Sequence, residues 1–172
     1  TSHWSRGRKG VSAVLASSYN DLPSYFKTCF LSFAIFPEDF VIPTRKLFHM
    51  WIAEGLINQK GVEVLEDVAA DRLDELVYRN LVQVVAWTAN GKVKSCRVHD
   101  LLRDLAVAKA EEVMFLKIFG ESSSSFPSSK CRHLLVNSCS EMLNYPGEFE
   151  HSTPPLRSLI FFNVAEVKHE FN

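Results

Sequence analysis

Val82-Gln83-Val84-Val85-Ala86-Trp87-Thr88-Ala89-Asn90-Gly91-Lys92-Val93-Lys94-Ser95-Cys96-Arg97-Val98-His99-Asp100 is where the chain changes its period. Val82, Val84 and Ala86 share one side of an alternating run, and Cys96 and Val98 share one side of the run that returns. Alternation sends successive side chains to opposite faces, which is the geometry of a strand. Asn90-Gly91 lies between the two runs and is a strong hairpin signal, because asparagine and glycine accept the positive φ that tight turns demand. Beyond the hairpin, Leu101, Leu102, Leu105 and Ala108 return to helical spacing, with Asp100 placed to cap the new helix.

Upstream of the hairpin the periodicity is helical. Val11, Val14, Leu15 and Ser18 form a first short pattern. Asn20-Asp21-Leu22-Pro23 then reads as a turn into a second helix, with Asp21 the expected cap and Pro23 tolerated in the first turn. Leu22, Phe26, Cys29, Phe30 and Phe33 make one broad apolar face, with Tyr25 at its edge. Pro37 ends that helix by pushing the residue before it out of the α region. Pro43 opens a third helix, with Leu47, Met50, Trp51 and Glu54 on one side, Phe48 and Ile52 on the next, and Gly55 as its terminator. A fourth runs over residues 64–79, with Leu65, Val68, Ala69, Leu73, Leu76 and Val77 as its stripe. Asp67, Asp71, Arg72 and Asp74 fall mostly off that stripe, as a solvated face rather than a metal cluster.

Helices, then a β-hairpin wing, then another helix predict a mainly α, winged-helix domain over residues 11–119. Its core should bury roughly a dozen large side chains, each contributing about 1.5–3 kcal/mol before the opposing entropy. Residues 1–10, with Arg6, Arg8 and Lys9, read as a linker or the end of a preceding helical domain. Val113–Phe119 is a further strand candidate. Residues 120–130 form a Ser-rich linker, with six serines between Gly120 and Ser129. Arg132-His133-Leu134-Leu135-Val136 and Leu156-Arg157-Ser158-Leu159-Ile160-Phe161 are then similar to each other. Leu134 and Leu159 are 25 residues apart, inside the leucine-rich-repeat range of roughly 20–29. Residues 131–172 are therefore expected to hold the first strands of a leucine-rich-repeat solenoid, truncated at Asn172.

Composition narrows the function classes. The 172 residues are 47% hydrophobic and 23% charged, and the 13 phenylalanines suit a filled core. A net charge of −1 speaks against a general electrostatic grip on nucleic acid or an anionic membrane. Cys29, Cys96, Cys131 and Cys139 form no Cys-x-x-Cys pair, so neither a zinc site nor a disulfide framework is implied, which suits a reducing compartment. No 18-residue apolar run is present. Thr1 is not a natural start, and the chain is expected to be part of something longer.

Four segments carry a family resemblance. They are Leu22-Pro23-Ser24-Tyr25-Phe26-Lys27-Thr28-Cys29-Phe30-Leu31 continuing to Phe36-Pro37-Glu38-Asp39; Trp51-Ile52-Ala53-Glu54-Gly55-Leu56-Ile57; Arg72-Leu73-Asp74-Glu75-Leu76 with Arg79-Asn80-Leu81-Val82; and Val98-His99-Asp100-Leu101-Leu102-Arg103-Asp104-Leu105-Ala106. In this order they resemble the winged-helix region of plant nucleotide-binding leucine-rich-repeat immune receptors of the coiled-coil class, with valine at 98 where methionine is usual. The resemblance covers about residues 11–112. It implies a regulatory piece in which His99 contacts the β-phosphate of bound ADP and Asp100 supports it, keeping the receptor autoinhibited. Release would follow pathogen perception and lead to exchange of ADP for ATP, oligomerisation and the hypersensitive response. Val98, His99, Asp100, Pro37, Glu38 and Asp39 are the regulatory residues so implied, the last three by steadying the closed state against the nucleotide-binding domain.

Further expectations follow from the same resemblance. Partners would be the upstream nucleotide-binding and helical domains, the downstream repeats, and a pathogen effector or guarded host protein. The compartment would be cytoplasmic, with plasma-membrane association of the parent left open. No Gly-x-x-x-x-Gly-Lys-Ser/Thr loop occurs, so no enzymatic activity is expected of this piece, whatever slow ATP hydrolysis the parent performs. Taken alone, His-Asp at a helix start reads as a cap with an incidental histidine, and Glu38 and Asp39 as a solvated turn. Two other functions compete. One is a DNA-binding winged helix that reads with the helix after Pro43, which offers Arg45 and Lys46 among apolar residues. The other is a generic protein-interaction module.

Overall fold

Phe33, Trp51 and the chain between them set the architecture. The structure, a computed structural model, describes residues 14–58, 61–119, 132–136 and 157–161. The expected linker at 1–10, Val11, the Ser-rich stretch at 120–130, Cys131 and Cys139 lie outside those residues. Residues 14–20 are helical (α1). Helix α2 spans Ser24–Leu31 and tightens into a 3-10 helix over Ser32–Ile35. Phe36 is extended (φ −86°, ψ 146°), as the residue before a proline should be. Pro23, not Asp21, occupies the N-cap of α2; its carbonyl accepts from the N–H groups of Phe26 and Lys27, and no side chain caps the helix. The expected Asp21 cap is thereby corrected.

Helix α3 spans Thr44–Ala53 and α4 spans Leu65–Tyr78. Both end alike. After α3, Gly55 takes φ 67°, its N–H reaches the Ile52 carbonyl, and the Leu56 N–H reaches that of Trp51. After α4, Asn80 takes φ 58° and the same two bonds run to Val77 and Leu76. A left-handed residue at this place satisfies carbonyls the helix leaves open. Leu22, Cys29, Phe30, Phe33, Leu47, Trp51, Ala69, Leu73 and Leu76 are buried together as the helical core. Arg72 of α4 lies over the Tyr25 ring at 3.8 Å, covering the exposed edge of α2.

The sheet has one strand more than the expected hairpin. Strand β1 (Ile42–Pro43) pairs antiparallel with β3 (Val93–Arg97), which pairs antiparallel with β2 (Gln83–Trp87), in the order β1-β3-β2. Ile42 and Val84 both register against Cys96. Two residues show no alternation, which is why the sequence hides β1; its proline suits an edge strand. Thr44 then fixes the start of α3 to the sheet through its Oγ1, 2.9 Å from the Val93 carbonyl. In the turn, the Gly91 N–H donates to the Thr88 carbonyl and Gly91 takes φ 77°, so Gly91 alone supplies the left-handed residue.

Helix α5 spans Asp100–Glu112. Its buried positions are Leu102, Ala106 and Ala110, while Leu101 and Leu105 are half-buried and Ala108 is exposed. Of the expected stripe Leu101, Leu102, Leu105 and Ala108, Leu102 alone is buried, and the inward line runs Leu102–Ala106–Ala110 at four-residue spacing.

The chain divides into two compact units, Thr1–Ala108 and Lys109–Asn172. In the second, β4 (Leu116–Phe119), β5 (His133–Val136) and β6 (Ser158–Phe161) form a parallel sheet in that order. Leu134 stands in register with Leu159. His133 is buried against the Phe115 ring at 4.5 Å, with its Nδ1 2.6 Å from Ser158 Oγ.

Candidate functional site

Val98 is buried and anchors the exit from β3, so the next residue turns outward: the His99 side chain is 65% exposed. His99 is the N-cap residue of α5 by its backbone. Its carbonyl accepts from the N–H groups of Leu102 and Arg103, both at 2.9 Å. Asp100, expected as the cap, is instead the first helical residue. Its Oδ1 accepts from the Leu101 N–H at 2.7 Å and also faces His99 Nδ1 in close contact. One carboxylate therefore holds both the ring and the backbone.

That arrangement decides what the helix start can do. Its partial positive charge favours an anion, but the anion already there is Asp100, which engages the Leu101 N–H. Attraction for a further anion then falls to the imidazole. With Nδ1 turned to the carboxylate, Nε2 is the other ring nitrogen, and it donates a hydrogen bond only when the ring is an imidazolium.

The turn at Pro37, Glu38 and Asp39 lies beside this helix start. Asp39 is left-handed (φ 55°), and the Phe36 and Phe40 rings stack at 5.8 Å across the turn. Glu38 stands 3.8 Å from Arg103 Nη1, and Asp39 stands 3.8 Å from Arg97 Nη1. The acids are 62% and 78% exposed, so these pairs are weak, at about 0–1 kcal/mol each. The firmer link is from Arg103, whose Nε–H donates to the Phe36 carbonyl at 2.8 Å. The structure thus brings Phe36–Asp39 and Val98–Asp100 together through a residue the sequence reading passed over. Sixty-seven positions separate Arg103 from Phe36, and no local period connects them.

Other chemistry is quiet. No group of three or more metal-binding side chains occurs among the described residues. Burial pushes the Cys29 and Cys96 thiols up to about 12, slightly offset at Cys29 by the Arg72 charge, so neither is a nucleophile. Among the described residues no helix is long and apolar enough to cross a membrane. A groove of about 510 Å³ between α3, α4 and the hairpin tip is lined by Glu66, Asp67, Asp71 and Asp74 together with Arg45 and Lys92. Its acids outnumber its cations, which disfavours a phosphate backbone there.

The sequence profile of the Disease resistance protein Winged helix domain matches residues 35–106, a span that holds the Pro37 turn, the hairpin, His99, Asp100 and Arg103. The chain carries a disease resistance protein winged helix domain. Relatives agree. Disease resistance protein RPP13 of Arabidopsis thaliana is 37% identical over 149 residues, 87% of this chain and 17% of that protein. ToMV resistance protein Tm-2(2) of Solanum lycopersicum is 41% identical over 152 residues, 87% of this chain and 17% of that protein. Disease resistance protein Pik-2 of Oryza sativa subsp. japonica is 38% identical over 130 residues, 75% of this chain and 13% of that protein. The chain thus spans less than a fifth of the length of these relatives, which are multidomain disease resistance proteins. In this winged helix domain the two motifs meet at the start of α5.

Proposed function

We propose that the chain is the regulatory winged-helix region of a plant nucleotide-binding leucine-rich-repeat immune receptor, and that His99 holds ADP and keeps the receptor closed. The observation that supports this most is the double grip of Asp100 on the His99 ring and the Leu101 N–H. It presents the His99 ring at a fixed place on the domain surface, with Nε2 outward, where the imidazolium form can donate to a terminal phosphate. ADP, when bound, supplies the anion; His99 meets it, Asp100 orients the ring, and Val98 anchors the strand behind them. Pathogen perception then shifts the population toward an open state that exchanges nucleotide, oligomerises and starts the hypersensitive response.

The domain's role in this reading is to hold and release, not to catalyse. Its partners are the nucleotide-binding and helical domains of the same receptor, its leucine-rich repeats, and an effector or guarded host protein. The parallel sheet, with Leu134 opposite Leu159, supports reading the second unit as the first rungs of those repeats. The cytoplasm is the expected compartment.

The test uses the full-length receptor. His99→Ala is expected to lose co-purified ADP, and Asp100→Val to trigger cell death in leaf tissue without a pathogen signal. Retained ADP in the first variant, or a silent leaf with the second well expressed, would sink the proposal.

A further inference from the structure

Arg103 joins the two motifs at both ends of its own structure, and we infer that it is a positioning residue of the nucleotide-holding site. It sets where His99 stands by tying the start of α5 to the turn at Pro37. This rests on the reading of His99 as the ADP contact. The backbone N–H of Arg103 donates to the His99 carbonyl at 2.9 Å. Its side-chain Nε–H donates to the Phe36 carbonyl at 2.8 Å. Its side chain is only 19% exposed, against 65% for His99, so water competes little for this bond.

Phe36 is the extended residue (φ −86°, ψ 146°) at which the 3-10 helix Ser32–Ile35 ends, and its carbonyl accepts from the guanidinium of α5. A guanidinium suits the place because its Nε–H direction is fixed by the planar group, whereas a lysine ammonium swivels on a flexible stem. The connection is short and stiff: the Phe36 carbonyl, the Arg103 side chain, the Arg103 amide, the His99 carbonyl. A displacement of the Pro37 turn therefore moves the residue that presents the imidazole. Glu38, 3.8 Å from the same guanidinium, adds a weak second hold.

The experiment is a double-mutant cycle in the full-length receptor, with ADP affinity measured by calorimetry and amide exchange measured without nucleotide. Arg103→Met keeps the aliphatic stem and removes the donor. It is expected to weaken ADP binding about tenfold when His99 is present, the scale of one charge-assisted hydrogen bond. In the His99→Ala background the same change should weaken binding by less than about twofold, because the positioned group is gone. Equal weakening in both backgrounds would mean a merely structural role and overturn the inference.

Without nucleotide, the Leu102 and Arg103 amides should exchange faster in Arg103→Met while the Leu73 amide is unchanged. If all three exchange as in the parent, the tie fails even where His99 still binds ADP. If His99→Ala leaves ADP affinity intact, the holding site itself is refuted, and this inference with it. Arg103→Lys guards against misfolding: with an unchanged melting temperature it should still bind ADP at least about fivefold more weakly, and parent-like affinity would count against the geometric role.

Discussion

Trp51 and His99 are both polar-tipped rings in one domain, and their surroundings are opposite. Trp51 is fully buried; its Nε1–H donates to Ser32 Oγ at 2.7 Å, and Ser32 in turn donates to the Cys29 carbonyl at 2.7 Å. The Phe33 ring meets it edge-on at 6.0 Å. His99 lies mostly in solvent, and its partner Asp100 is half exposed. The Trp51 N–H and the Ser32 hydroxyl are both answered inside, so rearrangement there is expensive. Around His99 the fixed group faces outward. On the proposed reading, stability and signalling fall on different motifs, Cys29–Ile35 with Trp51 for the first and Val98–Asp100 for the second, with the Pro37 turn between them.

The strongest way to break this contrast is Trp51→Ala, expected to cost about 3–5 kcal/mol through lost burial and the cavity left behind. A urea midpoint followed by circular dichroism checks it, and a cost under about 1 kcal/mol would contradict a closed core there. Ser32→Ala should cost less, about 1–3 kcal/mol, by leaving the Trp51 N–H buried without its acceptor. The same melt reads it, and a neutral result would mean the indole finds another partner.

The buried thiols give a pH signature. Their pKa values rise from 9.0 to about 12 on folding, so the folded state favours the protonated thiol. That contribution is fully present below pH 9 and is lost as pH rises from 9 through about 12. At pH 8 a thiol reagent should leave Cys29 and Cys96 unmodified until the chain unfolds; prompt labelling would refute their burial. The smallest effect belongs to the outward side. Glu38→Gln with Asp39→Asn, which removes both charges and keeps at 39 a residue that tolerates the left-handed φ of 55°, should shift stability by no more than about 0–1 kcal/mol per pair, and a larger loss would show that the turn is held by its acids rather than by Arg103.

Much of this was legible in the sequence because it is local. The hairpin followed from alternation around Asn90-Gly91, the core face of α2 from the spacing of Leu22, Cys29, Phe30 and Phe33, and the end of α3 from Gly55. The likeness of the segments around Leu134 and Leu159 was legible as a 25-residue echo, and their parallel pairing is what the fold adds. What escaped was non-local or too short to have a period. Strand β1 exists because β3 offers an edge. Arg103 matters because Phe36 lies beside it across 67 residues. The helix start was misplaced by one residue: the backbone of His99 caps α5, so Asp100 is free to act as clasp rather than cap, a distinction carried by geometry and not by residue type.

Helix α5 closes as α3 and α4 do, except for the residue chosen. Met114 takes φ 54° where the others have glycine and asparagine, its N–H bonding Glu111 and that of Phe115 bonding Ala110. A methionine pays roughly 1–2 kcal/mol for that conformation. The final residue of this stop is thus a natural target for a stabilising exchange: glycine there would keep both bonds and remove the steric quarrel between side chain and backbone.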